Sequence, residues 1–116
     1  MNWNQLISLS QIADIDAESM KGKVLIFKHS TRCSTSASCL DRMERNWKEG
    51  DNEKIKPYYL DLLNHRDISN ELARHYGIYH ESPQLLLLEN GKCVYHASHF
   101  EIDYADLMAE ALPHEN

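Results

Sequence analysis

The sequence is poor in cysteine, glycine and proline, with three, four and three among its 116 residues. An odd number of cysteines at irregular spacing excludes the paired framework of a small secreted domain and leaves each thiol to packing, metal binding or redox chemistry. The few glycines and prolines nowhere gather into a linker, and no repeat or low-complexity tract interrupts the chain, so residues 1–116 are expected to form a single domain. No apolar run approaches the roughly 20 residues needed to span a bilayer. A cationic block is missing too: with a formal net charge of −6 and both signs interleaved, neither nucleic acid nor an anionic membrane is an expected partner. The opening stretch MNWNQLISLSQIADID has neither the basic segment nor the apolar core of an export signal, which makes the cytoplasm the expected compartment.

What is present is an alternation of strand and helix patterns. Residues 6–20 read as one or two short helical turns, with Asp14 and Asp16 as candidate N-caps and Gly22 as the stop. KVLIFKH, from Lys23, is a continuous run of strand formers, the pattern of a central strand covered on both faces. After it, Ser36, Leu40, Met43 and Trp47 recur at helical steps up to Gly50. A second strand, residues 54–63, carries Pro57, which suits its start or an open edge. Asp67 caps a helix containing Ile68, Leu72 and Tyr76 and ending at Gly77, and Asn90-Gly91 joins two further strands in a tight hairpin. A helix capped by Asp103 closes the chain. The order predicts an α/β fold, a mixed central sheet of about four strands flanked by helices on both faces.

Cys33 stands where the first strand gives way to a helix. There the peptide dipoles and unpaired first-turn N–H groups favour an anionic sulfur, and Arg32 next to it adds a cation, so Cys33 is the expected reactive thiol. Ser36 occupies the place a resolving cysteine takes in a Cys-x-x-Cys pair; a hydroxyl can hydrogen-bond a thiolate but cannot form a disulfide with it. Cys39 lies six residues on, about 9 Å along a helix, beyond the roughly 7 Å that bridged Cα atoms tolerate. Its expected role is packing, with service as a resolving thiol after partial unwinding as the alternative. Cys93, beyond the hairpin, is expected to be structural or incidental.

A strand, a cysteine at a helix start, and a later Ser82-Pro83 leading into paired strands and a final helix resemble the thioredoxin fold over nearly the whole chain. More narrowly, FKHSTRCSTS and HESPQLLLLENGKCVYHASHF resemble the monothiol bacilliredoxins of the YtxJ type. The resemblance implies a thiol-disulfide oxidoreductase in which Cys33 removes bacillithiol from S-bacillithiolated protein cysteines, and in which Pro83 is a cis-proline. Arg32, Ser36 and His29 then support the sulfur, while Ser82, Pro83 and His80 bind substrate. Arg32 would also pair with the carboxylates of bacillithiol's malate, with Lys28 and Arg42 as further cations for the task. Two departures stand out: Ser34-Thr35 follows the cysteine where the family commonly has Pro-Ile, and Cys39 is additional. No bound cofactor or metal is expected; the co-substrate is bacillithiol or a related low-molecular-weight thiol, and the partners are bacillithiolated proteins and a disulfide reductase. Two rivals belong to other classes. One is a redox-inactive adaptor that binds peptides at the Pro83 edge. The other is a metal-binding protein using Cys33 with His29, His80, His96 or His99, a weak pattern without a Cys-x-x-Cys pair.

Overall fold

The two faces of one strand organise the molecule. In β2 (Lys23–His29) every residue after the first is buried, Val24, Ile26 and Lys28 on one side and Leu25, Phe27 and His29 on the other. Residues 1–112 are described by the structure, a computed structural model. Around β2 they build a five-stranded sheet in the order β1-β3-β2-β4-β5, from β1 (Asn4–Gln5), β3 (Ile55–Asp61), β4 (Gln84–Glu89) and β5 (Lys92–Ser98). β1 and β2 run parallel to β3, and β4 runs antiparallel to both β2 and β5, so the sheet is mixed as expected.

Helices cover both faces. Beneath one lie α1 (Gln11–Ser19) and α4 (Arg66–Tyr76), whose Ile12, Ile15, Ile68 and Leu72 meet Val24, Ile26, Leu86 and Leu88. On the other, α2 (Ser34–Asn46) and α5 (Tyr104–Ala111) bring Cys39, Met43, Leu107 and Ala111 against Leu25, Phe27, Leu85 and Leu87. Burying an apolar cluster of twelve residues on each face in this way supplies most of the drive to fold.

Several local expectations are met. Gly77 ends α4 in the left-handed conformation (φ 67°), Asn90 and Gly91 both take positive φ in the hairpin turn, and the Asp103 carboxylate caps α5 by accepting from the Asp106 N–H. Others need correction. The sheet has five strands rather than four, because β1 is two residues long and too short to show any period. β1 reaches Tyr58 and Tyr59 but not Pro57, so the proline lies where the outer edge of β3 is free of a strand and its carbonyl accepts from the Asn4 side chain (3.0 Å). Asp14 and Asp16 lie inside α1, not at its cap; Ser10 holds that position, and the Gln11 carboxamide receives the Ile7 and Ser8 N–H groups instead. His65, not Asp67, occupies the capping position of α4, and Asp67 lies inside its first turn. A short helix α3 (Asp51–Lys54), led in by Gly50 at φ 92°, separates α2 from β3. No helix among the described residues is long and apolar enough to cross a membrane.

Candidate redox site at the start of α2

β2 ends at His29, and the chain turns through Ser30, Thr31 and Arg32 to deliver Cys33 as the N-cap of α2. Its backbone is extended (φ −110°, ψ 118°), its N–H donates to the Ser30 carbonyl (3.2 Å), and its own carbonyl accepts the first helical bond, from Ala37 (3.1 Å). The Cys33 side chain makes no capping bond and no acidic residue occupies the first turn, so the positive end of a thirteen-residue helix is left unneutralised beside the half-buried Cys33. Arg32 is exposed next to it. Because Lys28 in β2 pairs with Gln84 in β4, the end of β2 and the start of β4 coincide, which brings Ser82 and Pro83 to the Cys33 end of the sheet. The Ser82–Pro83 bond is cis.

Ser36 is fully buried, and its hydroxyl is directed at the end of the strand. Oγ lies 2.6 Å from His29 Nδ1 and accepts the Ser30 N–H at 3.0 Å. Burial holds the His29 imidazole below its ordinary pKa against the opposing pull of Asp61 and Glu44, so the neutral ring takes the Ser36 O–H at Nδ1. His29 is packed further against the Phe27 and Tyr59 rings. Two of the supporting residues named from sequence thus hold one another, and through Ser30 they hold the turn that carries Cys33. A Ser36→Ala variant leaves the Ser30 N–H and His29 Nδ1 without this partner in a dry site; it is expected to lose about 1–3 kcal/mol in urea unfolding.

Cys39 is 1 % exposed. Its thiol donates to the His99 carbonyl (3.2 Å), and burial pushes its pKa up, so it has neither the access nor the ionisation of a resolving thiol in the folded chain. The same His99, at φ 54°, donates its N–H to the Pro83 carbonyl at 3.0 Å, so a buried cysteine of α2 is linked through one residue to the proline. Cys39→Ala is expected to cost about 1–2 kcal/mol from the lost sulfur packing and hydrogen bond, and native Cys39 to react with iodoacetamide only on unfolding. Cys93 packs against the core under α1 and α4, donates to the Tyr95 carbonyl (3.3 Å) and has its pKa raised by burial. All three thiols are free.

Two of the cations assigned to substrate carboxylates are engaged elsewhere. Lys28 is 1 % exposed, with Nζ 2.6 Å from His80 Nδ1 and 3.2 Å from Gln84 Oε1. Arg42 donates to the Ile102 carbonyl (2.7 Å), tying α2 to the segment before α5. Arg32 is left as the cation adjoining the sulfur. His96 and His99 are exposed, and among the described residues no three His, Cys, Asp or Glu side chains gather as metal ligands would. The roles of Lys28, Gln84 and the His99 backbone were missed from sequence; the one visible signal was a lysine in phase with Val24 and Ile26 on an otherwise apolar strand face.

A family model described as monothiol bacilliredoxin BrxC matches residues 4–107. The chain belongs to that family. Among solved structures, a thioredoxin-fold protein provisionally described as an oxidoreductase is 30% identical, with 91% of this chain and 90% of that one covered and a TM-score of 0.79. Thioredoxins from Malassezia sympodialis (18% identity, 93% and 86% covered, TM-score 0.71) and Trypanosoma brucei brucei (15%, 94% and 87%, 0.72) share the fold. This bacilliredoxin therefore has a thioredoxin fold and belongs with thiol-disulfide oxidoreductases. Its Cys-x-x-Ser segment agrees with the monothiol description of the family.

Proposed function

We propose that the protein removes bacillithiol from S-bacillithiolated cysteines of other proteins by a one-cysteine route. The observation that carries this reading is the disposition of the thiols: Cys33 half-buried at the head of α2, Ser36 in the resolving position, and Cys39 buried and hydrogen-bonded. The Cys33 thiolate attacks the bacillithiol sulfur of the adduct, the S–S bond between that sulfur and the protein's cysteine sulfur breaks, and the protein leaves as its thiolate. Bacillithiol stays on Cys33 until a second thiol, from another bacillithiol or a reductase, attacks that disulfide and returns Cys33 to the reduced form. Each exchange forms one S–S bond and breaks one, so the oxidising equivalent moves without any other acceptor. Arg32, exposed beside Cys33, would pair with the carboxylates of the small thiol.

The experiment is transfer from a bacillithiolated peptide followed by intact mass. The expected result is a stoichiometric gain of one bacillithiol on the protein with release of the peptide thiol, slower when the peptide carries glutathione instead. A protein that stays at its reduced mass with either donor overturns the proposal and favours a redox-inactive adaptor.

A further inference from the structure

Lys28 is a lysine in a core. A buried ammonium costs several kcal/mol unless it is paired, yet among the described residues no carboxylate lies within ion-pair distance of it. Its partners are neutral: His80 Nδ1 at 2.6 Å, and the oxygen of Gln84 at the start of β4, whose own Nε2 donates to the Tyr79 carbonyl at 2.9 Å. Residues 78–83, between α4 and β4, have no regular structure and lead to Ser82 and Pro83. Tyr79 and His80, near the start of that segment, are therefore both tied to the sheet through Lys28, Tyr79 by way of Gln84. An ammonium has three donors and no lone pair, so Nδ1 of His80 has to accept; the Ser69 hydroxyl, 3.2 Å away, points at the same nitrogen. The ring's remaining donor is Nε2–H, and the ring itself edges a cavity of about 170 Å³ shared with Leu62, Arg66, Ser69 and Asn70.

We propose that Lys28 is a positioning residue of the exchange site: through His80 and Gln84 it holds the segment that carries Ser82 and Pro83, and it fixes His80 as the neutral Nε2–H tautomer. The proposal rests on the oxidoreductase reading of the site but not on the identity of the small thiol. Its pH range follows from the groups around the contact, namely Lys28 from β2, Gln84 from β4, His80 with Glu81 next to it, and Ser69 and Arg66 from α4. Burial brings the Lys28 ammonium down to about 8, and burial and the facing Lys28 charge hold His80 below its ordinary value despite Glu81. Above pH 8 the neutral amine can accept as well as donate, and the tautomer is no longer imposed.

Long-range ¹H–¹⁵N spectra of the imidazoles in the full chain test this, with His80→Gln used for assignment. In the wild type, His80 is expected as a single Nε2–H tautomer below pH 8 and as a mixture above it. Lys28→Met is expected to give mixed tautomers throughout, with His80 taking up its proton at higher pH than in the wild type. Gln84→Glu supplies the ammonium with a counter-ion and keeps Lys28; it should move the wild-type tautomer change up by about one pH unit or more, and decides the matter even if Lys28→Met folds poorly. In exchange kinetics with the bacillithiolated peptide, Lys28→Met should raise KM about tenfold while changing kcat less, since it acts on substrate placement. An unchanged His80 spectrum in Lys28→Met and an unmoved transition in Gln84→Glu would overturn the proposal. Failure of the wild type to accept bacillithiol would instead remove the proposed function, and the spectra would still decide the role of Lys28.

Discussion

Cys33→Ser is expected to lose bacillithiol transfer by about three orders of magnitude or more, the scale lost when an enzyme's sole nucleophile is removed. Cys39→Ala, by contrast, should retain transfer within about threefold once its lower stability is allowed for. The asymmetry follows from position. Cys33 is half-buried at the head of α2, while Cys39, nearly two turns along the same helix, packs with Met43 and Leu85 in the core and donates a hydrogen bond to the His99 carbonyl. A hydroxyl at position 33 keeps the capping geometry and the shape of the turn but cannot exchange disulfides, so folding should be unaffected while chemistry disappears. Stopped-flow exchange with the bacillithiolated peptide reads both variants, and equal losses in the two would contradict the division of roles.

The second large effect concerns stability rather than chemistry. The folded-state pKa of Lys28 is depressed by burial to about 8, from the ordinary 10.5 it regains on unfolding. Below pH 8 both states carry the proton, and the folded state bears the full cost of the buried charge. Between pH 8 and 10.5 the unfolded chain holds more protons than the folded one, so stability from this group rises with pH. The gain across that window is ~3 kcal/mol. Tyrosines titrate in the same range, but they are common to wild type and Lys28→Met, so the difference between the two unfolding free energies isolates the lysine. That difference is expected to grow in favour of the wild type as pH rises from 8 to 10.5. A flat difference would mean that the ammonium is not desolvated.

Much of this site was legible in the sequence because it is written in short-range signals. A continuous apolar run, a cysteine after it and a helical stripe beginning at Ser36 place Cys33 at a strand-to-helix junction without knowledge of any distant contact. Asn90-Gly91 and Gly77 demand positive φ and mark a hairpin and a helix end. What was not legible depends on partners far along the chain. Lys28 meets His80 and Gln84, 52 and 56 residues away; its phase with Val24 and Ile26 is a local hint that it turns inward, but nothing local names those partners. Arg42 finds the Ile102 carbonyl across 60 residues. Ser36 could be read as a small residue in a stripe or as a partner of the thiol; His29, seven residues before it, takes its hydroxyl. The misplaced cap of α1 has a different cause: the residue-type rule favours Asp14 and Asp16, but the Gln11 side chain receives the Ile7 and Ser8 N–H groups, and the Asp16 carboxylate instead meets Tyr76 and His75 on α4.

The measurement closest to the central claim is the mass of the protein after a single encounter with a bacillithiolated peptide, followed by peptide mapping under acid quench. The account predicts one bacillithiol per chain, all of it on Cys33, with Cys39 and Cys93 recovered as thiols. Bacillithiol absent from Cys33, or a chain lacking two hydrogens because Cys33 has closed a disulfide with Cys39, would contradict it.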